Sequence, residues 1–299
     1  MRHRAAGRVG HRLEPERRIE PHLWSAKLVG AMAIVFIVQG VTIAAYAARL
    51  AGVQTKRIAT SISLFNLFVT TGRLANLFML FFLGPLSDAA GNAVIDVAGW
   101  DKVFELQLRL IVLAGTFGMI VFALFLPMFT YLFRRGVRSF EARGSVPHSL
   151  VRLLSPRVIV EVLRSEHLPA FAELRRFDWR GVPKRLLVFN TIVMCVYAIG
   201  VQASYLASVL DPSVVRTAVG LSGIINGIGT IAFTLFVDPT SSMITDQAIH
   251  GKRTIQEVRS MVFYLSLTAI IGSLLSQAVL YPAAVIIEVV SRFAAHVRI

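Results

Sequence analysis

Six apolar segments of membrane-spanning length dominate the pattern of this chain. Crossing the hydrocarbon core of a bilayer takes about 20 mostly apolar residues in an α-helix, whose backbone groups are all satisfied internally. The pattern therefore predicts an all-α polytopic membrane protein with six transmembrane helices. The predicted spans cover residues 26–48, 58–83, 108–133, 186–210, 217–237 and 261–287.

The connecting segments predict how the chain is organised. Residues 1–25 form a basic tail that we expect to be disordered, and residues 26–299 form a single transmembrane domain. The connection at 134–185, between helices 3 and 4, holds 12 basic and 5 acidic residues, so it is predicted to be cytoplasmic. Six spans then place both termini outside, although seven basic residues among the first 27 favour the opposite side for the tail. Apolar and charged residues alternate at helical spacing in 156–167 and 169–177, which predicts amphipathic helices on the membrane surface rather than a solvated linker.

Polar residues recur at helical spacing within five of the spans, which predicts inward-facing stripes because such residues share one helix face. Any single stripe is also compatible with ordinary hydrogen bonds between packed helices. Five stripes together favour a polar path through the bundle. The third span carries no stripe and is predicted to lie at the periphery. The stripes are Gln39, Thr42, Tyr46 and Arg49; Ser63, Asn66, Thr70, Arg73 and Asn76; Asn190, Tyr197, Ser204 and Ser208; Ser222, Asn226 and Thr230; and Ser266, Ser273, Gln277, Tyr281 and Glu288.

Arg73 is the most informative of these residues because it lies about 22 Å along its helix from Ile58, at 1.5 Å per residue. An arginine at such depth costs at least about 2.5 kcal/mol, so it must face water, an anion or a carboxylate. Glu288 is the candidate carboxylate, but it lies near the end of its predicted span. We therefore interpret Arg73 as facing an anionic ligand.

A second polar cluster is predicted at the cytoplasmic surface, where Asp238 and Pro239 interrupt the fifth span. The clustered bases suit an anionic headgroup, although juxtamembrane anchoring or a helix cap explains the same residues nearly as well. The cluster comprises Arg49, Lys56, Arg57, Asp238, Asp246, Lys252 and Arg253.

Composition excludes several classes of protein. Hydrophobic residues make up 55% of the chain, charged residues 16%, and the mean hydropathy is +0.66. Soluble domains carry about 25% charged residues, so an ordinary soluble enzyme is excluded, as is a disordered chain. The net charge of +14 comes from bases between apolar runs, which indicates anionic phospholipids and not nucleic acid as partners.

Motifs for catalysis and cofactor binding are missing from the sequence. There is one cysteine, Cys195, and no H-E-x-x-H, G-x-S-x-G or Walker A pattern. We therefore predict no catalytic residue, metal ligand or cofactor, and no enzymatic activity. Glycines in the fifth span leave room for a helix contact in a homo-oligomer.

Several strings resemble one bacterial family. AAYAARLAGV at 44–53, KRIA at 56–59, SLFN at 63–66 and GRLAN at 72–76 resemble the N-terminal half of the Amj-type lipid II flippases. Asp238-Pro239, Asp246, Gly251-Lys252-Arg253 and Gln277 with Pro282 resemble the C-terminal half. The likeness covers residues 26–288 and excludes the basic tail.

The resemblance implies a protein of the bacterial plasma membrane that moves lipid II, the undecaprenyl-pyrophosphate-linked peptidoglycan precursor, from the inner to the outer leaflet by alternating access. The alternatives are a secondary transporter of another anionic solute and a non-transporting scaffold for cell-wall enzymes. The candidate substrate-binding residues are Arg49, Lys56, Arg57, Asn66, Arg73, Asn76, Asn226, Asp238, Asp246, Lys252, Arg253 and Gln277.

Overall fold

The structure is a computed structural model that describes residues 23–96, 99–143 and 177–296. Within these ranges, the side chains of Arg73, Asn76 and residues 93–96, 142–143 and 296 lie outside the description. The predicted basic tail and the two predicted surface helices of the 134–185 loop fall almost entirely outside the described residues.

Every regular element in the described ranges is helical. The helices are α1 (Ala26–Thr55), α2 (Ile58–Phe78), α3 (Leu80–Asp96), α4 (Trp100–Leu124), α5 (Leu126–Arg143), α6 (Lys184–Leu210), α7 (Val215–Ala232), α8 (Asp238–Ile249) and α9 (Ile255–His296). A 3-10 turn, Pro212–Val214, precedes α7, and a π-helical segment, Phe233–Val237, joins α7 to α8.

Among the residues that the structure describes, five helical runs are long and apolar enough to cross a membrane: α1, α4, α6, the run Pro212–Ile249 and α9. The protein is therefore an all-α, multi-pass membrane protein, as predicted. A shorter apolar stretch, Ile58–Gly72, forms most of α2.

Two predicted spans are divided in the structure. The span at 58–83 breaks at Met79, and the chain continues as α3 to Asp96 with Pro85 inside that helix. The span at 108–133 breaks at Phe125, two residues before Pro127. Its helix also begins earlier than predicted, at Trp100, after Gly99 adopts a positive φ of 92°.

The predicted interruption at Asp238 is a π-helical segment and not a helix end. Pro239 lacks the N–H that an α-helix would need at this point, and the wider π turn lets the chain continue as α8. Ser241 does not cap a helix, since its hydroxyl donates to the carbonyl of Val237 at 2.7 Å. The fifth span therefore belongs to one continuous helical run, Pro212–Ile249.

α1 lies at the centre of the bundle and packs against α2, α4, α5 and α9, while α6 packs against α7 and α9. The prediction that the third span is peripheral is wrong, because α4 is one of the main partners of α1. Gly118 lets the backbone carbonyl of Phe36 approach closely, and Gly115 lies against Val35. The central position of α4 is therefore marked by glycines that allow close helix packing, and not by a polar stripe.

The core consists of two apolar clusters, one toward each end of the bundle. One cluster contains Val53, Val137, Val182 and Val258, which lie beside the α1–α2 turn, the end of α5, the start of α6 and the α8–α9 turn. We call this the loop end, because the 134–185 connection leaves and returns there. The opposite end holds the α3–α4 and α6–α7 turns.

Candidate functional site

A cavity of about 300 Å³ lies between α1, α2, α6 and α7. This volume is at the lower end of the range for small-molecule sites. Its lining comes chiefly from these four helices, and α2 and α7 are not among the helix pairs that pack extensively. We call it the central cavity. Its polar lining residues are Gln39, Thr42, Tyr46, Tyr197, Gln202, Ser222, Asn226 and Thr230.

The floor of the central cavity is a hydrogen-bonded network that joins three helices. The hydroxyl of Tyr46 donates to Oδ1 of Asn190 at 3.1 Å. Asn190, which is fully buried, donates through Nδ2 to Oγ1 of Thr268 and to the carbonyl of Leu265, both at 2.9 Å. Because every polar group here has a partner, the network fixes α1, α6 and α9 relative to one another.

The α7 side of the cavity is shaped by small residues. Gly200 on α6 leaves space that the Asn226 side chain fills, and a Cβ at position 200 would lie 2.5 Å from Oδ1 of Asn226. Gly223 and Gly227 also line the cavity, yet no heavy atom among the described residues lies within 4 Å of a Cβ built there. These two glycines therefore border open space and not a packed helix.

A buried arginine lies between the central cavity and the loop end. Arg49, one turn after Tyr46, is only 4% exposed, and its guanidinium forms an ion pair with Asp238 through Nη2. Its Nη1 donates to Oγ of Ser242 at 3.0 Å, and its guanidinium carbon lies 4.6 Å from the centre of the Phe65 ring. We call Arg49, Asp238, Ser242 and Phe65 the Arg49 cluster.

The other bases predicted at this surface are spread out. Arg57 is exposed and pairs with Glu141 of α5 at 3.1 Å, while Lys56 caps α1 in a left-handed conformation and is also exposed. Exposed ion pairs of this kind contribute at most about 1 kcal/mol. The structure therefore separates Lys56 and Arg57, which face outward, from Arg49, which faces inward.

Arg253 has a local structural role. It donates to Oε1 of Gln247 at 2.8 Å and to the carbonyl of Gly181 at 2.9 Å, which fastens the entry to α6 onto the α8–α9 turn. Lys252 beside it is exposed, and Asp246 lies 3.5 Å from the His250 ring on the surface.

The polar stripe of α2 does not face the cavity in the part that the structure describes. Ser63, Asn66 and Thr70 are exposed, whereas Phe65 and Val69 line the cavity. The prediction that this stripe faces inward is wrong for these three residues, because the bulkier face of α2 packs inward. The side chains of Arg73 and Asn76 lie outside the described residues.

Gln277 lies away from the cavity and contacts α4. Its Nε2 donates to the carbonyl of Arg109 at 3.1 Å, and Nη1 of Arg109 donates to the carbonyl of Gln277. Arg109 also forms an ion pair with Glu105 at 2.6 Å. Arg109 and Gln277 thus hold α4 against α9, and Glu105 positions the guanidinium of Arg109.

The chain was compared with known proteins. A family model described as "Amj: Alternate to MurJ" matches residues 34–291. The chain belongs to the Amj family. It is 30% identical over 264 residues to the protein named lipid II flippase Amj of Bacillus subtilis (strain 168), an alignment that covers 88% of this chain and 96% of the relative. No solved structure matches.

In this Amj family member the site differs from the set predicted by sequence. Asn226 lies at the central cavity, and Arg49 and Asp238 meet beside it. Phe65, Gln202 and the Arg109–Glu105 pair were missed. Phe65 lies in an apolar run, so nothing in the sequence sets it apart. Glu105 and Arg109 are opposite charges four residues apart inside a helix, a spacing from which their ion pair could have been predicted.

Proposed function

We propose that this protein is a lipid II flippase, which moves the undecaprenyl-pyrophosphate-linked peptidoglycan precursor from the inner to the outer leaflet of the bacterial plasma membrane. The observation that carries the proposal is the central cavity, where amide and hydroxyl groups lie among apolar side chains and where α2 and α7 do not pack extensively against each other. Membership of the Amj family and the name of the Bacillus subtilis relative support the same function.

The cavity chemistry suits the uncharged part of such a cargo. Amide and hydroxyl groups at Asn226, Gln202 and Tyr197 are the partners that sugar hydroxyls and peptide amides require. The gap between α2 and α7 would leave the polyprenyl tail in lipid while the headgroup crosses. A cavity of about 300 Å³ is too small for a disaccharide with its peptide, so it must widen during transport by alternating access.

The bases would act in sequence on the pyrophosphate. Lys56, Arg57 and Lys252 are exposed at the loop end and would attract the anion from the inner leaflet. Arg49 would then bind it, and Arg73, deep in the span, would pass it outward.

The remaining candidates have supporting roles in the proposal. Asp238 and Asp246 would orient the basic groups beside them. Asn66, Asn76 and Gln277 would assist binding once the helices move.

The orientation completes the proposal. Six spans, with the broken α2–α3 segment as the second, would place both termini outside and the 134–185 loop in the cytoplasm beside anionic phospholipids. An anion that leaves a negative-inside cell moves downhill by about 2.3 kcal/mol per charge per 100 mV, so neither catalysis nor a cofactor is required. Gly220 of α7, which lies outside the cavity lining, would be available for a contact in a homo-oligomer.

A secondary transporter of a smaller anionic solute is the second candidate, and the small volume of the cavity favours it. The two candidates differ in whether the chain supports growth of bacteria that lack their own precursor flippases. A lipid II flippase restores growth and precursor exposure at the cell surface, whereas a solute transporter restores neither.

The test uses Arg73→Ala, with Leu74→Ala as the matched control. Leu74 is the next residue along α2 and is 58% exposed on the outside of the bundle. At equal expression, Arg73→Ala should reduce precursor exposure at least about tenfold, as expected when an intramembrane charge with a functional role is removed. Unchanged exposure would remove Arg73 from the proposed path, and failure of the wild-type chain to restore growth would overturn the lipid II proposal.

A further inference from the structure

The Arg49 cluster lies where the central cavity would have to open toward the loop end. Phe65 lines the cavity on one side and a small cleft of about 10 Å³ on the other. Arg49 and Thr245 also line this cleft, and Tyr46 lines the cavity one helical turn away. The cluster therefore separates the cavity from the loop end in this conformation.

The ion pair links two elements that are distant in sequence. Arg49 lies on α1, whereas Asp238 and Ser242 lie on α8, directly after the π-helical segment. π segments within α-helices often occur at functional sites. A movement of α8 about this segment would separate Asp238 from Arg49 without unwinding α1.

The guanidinium of Arg49 can form a further hydrogen bond to an anion through its Nε–H group. Nη1 and Nη2 are bound to Ser242 and Asp238, but the buried Nε has no hydrogen-bond partner among the described residues. Guanidinium binds phosphate oxygens with two parallel hydrogen bonds, so a phosphate group offers Arg49 a better partner than one oxygen of a carboxylate. The side chain of Asp238 is 35% exposed, so it is not enclosed by the bundle and can move away from Arg49.

We propose that Arg49 is a phosphate-binding site that Asp238 occupies when no cargo is bound, and that exchange of the carboxylate for a phosphate group opens the cavity at the loop end. This inference rests on the proposed function, because it assigns the phosphate-bearing part of the cargo to Arg49. Asp238 is then a positioning residue that keeps the inner side closed until an anion arrives.

The exchange also explains how a buried charge is tolerated. An arginine in the interior of a membrane protein must be compensated at every stage of a cycle. Asp238 compensates Arg49 in the closed state, and the phosphate group compensates it in the open state. The two anions cannot occupy the guanidinium edge together, so binding of one releases the other.

The experiment measures access to the cavity from the loop end. Thr42 lines the cavity, so Thr42→Cys in a Cys195→Ala background serves as the reporter in the purified full-length protein. The protein is reconstituted in phosphatidylcholine vesicles and labelled with a membrane-impermeant maleimide. Trp179→Cys at the loop end and Arg216→Cys at the opposite end, both exposed, identify the side from which the reagent acts.

Asp238→Asn removes the charge with little change in shape and should speed labelling of the Thr42→Cys reporter from the loop end about tenfold, since it leaves Arg49 uncompensated. Asp178→Asn, which removes an exposed loop-end carboxylate, should leave the rate unchanged. Ser242→Ala keeps both charges and should give a smaller rise, which protects the test if Asp238→Asn folds poorly. Equal rates in the wild-type background and in both Asp238→Asn and Ser242→Ala would overturn the proposal.

The anion is tested with inorganic pyrophosphate on the loop-end side. In the reporter protein with Arg49 and Asp238 intact it should speed labelling about tenfold, and Arg49→Gln should abolish this response. A parallel set of vesicles containing phosphatidylglycerol tests a phospholipid headgroup as the source. A response to pyrophosphate alone assigns the site to a diphosphate cargo, and a response to phosphatidylglycerol alone assigns it to a headgroup. A reporter protein that responds to neither contradicts the exchange.

The two proposals fail in different ways. If Asp238→Asn opens the cavity but the wild-type chain does not restore growth to flippase-deficient bacteria, the exchange stands and the lipid II assignment falls. If growth is restored but the labelling of the Thr42→Cys reporter never changes, only the exchange falls.

Discussion

Two walls of the bundle are rich in glycine, yet one is closed and the other is open. Between α1 and α4, Gly118 is filled by the backbone of Phe36 and Gly115 by the side chain of Val35. On α7, Gly223 and Gly227 have no neighbour within 4 Å among the described residues and border the central cavity. Glycine spacing alone therefore does not distinguish a tight helix contact from an opening. The two cases differ in whether another helix packs against the glycines.

Adding a methyl group should reduce the free energy of unfolding more on the closed wall than on the open wall. Gly118→Ala places a Cβ against the carbonyl of Phe36, which is backbone and cannot rotate away. We expect a loss of about 3 kcal/mol, the upper part of the overpacking range. Gly227→Ala on the open wall should be neutral or stabilising by up to about 1 kcal/mol, because alanine favours helix. Thermal unfolding of both variants in detergent measures the difference, and equal losses would contradict the comparison.

A covalent link between α2 and α7 should block transport, whereas a link between α4 and α9 should not. In a Cys195→Ala background, Val69→Cys with Gly227→Cys joined by a short bis-maleimide would tie α2 to α7. Precursor exposure at the cell surface should then fall at least about tenfold, since the expected lid-like movement is prevented. Thr116→Cys with Ser273→Cys provides the matched control on α4 and α9, where the two hydroxyl oxygens are 2.7 Å apart. Loss of transport on linking the second pair, and not the first, would refute an opening between α2 and α7.

Loss of a hydroxyl group between α4 and α9 should mainly reduce stability, whereas loss of one at the cavity should mainly reduce transport. Ser273→Ala removes a buried hydrogen bond to Thr116 and should cost about 1 kcal/mol of unfolding free energy while transport persists. Tyr197→Phe removes a hydroxyl at the cavity that is hydrogen-bonded to Thr230 at 2.5 Å, while Thr230 keeps its own bond to the carbonyl of Asn226. We expect the second variant to lose no more stability than Ser273→Ala and to expose less precursor. The reverse pattern would show that the cavity is structural.

The smallest effect concerns an ion pair at the start of α7, at the end of the bundle opposite the loop end. Asp211, at the α6–α7 turn, accepts from the Ser213 hydroxyl at 2.6 Å and pairs with Arg292 of α9 at 2.5 Å. These contacts lower the pKa of the Asp211 carboxyl from 3.8 to about 2, chiefly through Ser213 and then Arg292.

Because the folded pKa is the lower one, the stabilisation is complete above about pH 4 and is lost as pH falls toward 2. A pH series of unfolding temperatures should therefore show a modest decline in this interval that Asp211→Asn lacks. An identical decline in Asp211→Asn would assign it to other groups.

The sequence predicted the features that depend on local pattern. Apolar length located five of the six predicted spans as helical runs long enough to cross a membrane, and helical spacing placed Gln39, Thr42 and Tyr46 on one face of α1, where the structure finds the cavity. Short-range pattern did not show the packing of α4, because the contact depends on the backbone of Phe36 and not on any polar residue. The inward face of α2 was also misassigned, since large apolar side chains competed with the polar stripe for the interior.

Long-range pairing was the other part that the sequence could not supply. Arg49 and Asp238 are 189 residues apart, and both were predicted at the same membrane surface. Nothing in their spacing showed that one would neutralise the other. The break at Phe125, two residues before Pro127, and the π-helical segment before Pro239 also lay outside the prediction from apolar length.

The central claim is that cargo passes through the opening beside α7, and transbilayer movement of lipid II in proteoliposomes tests it most directly. Purified wild-type protein should speed movement over empty vesicles. Gly227→Leu, which fills the opening, should abolish this gain. Gly220→Leu makes the same change on the same helix outside the cavity lining, also with no neighbour within 4 Å among the described residues, and should retain the gain. Equal movement with wild-type and Gly227→Leu protein, or no gain with the wild type, would contradict the account.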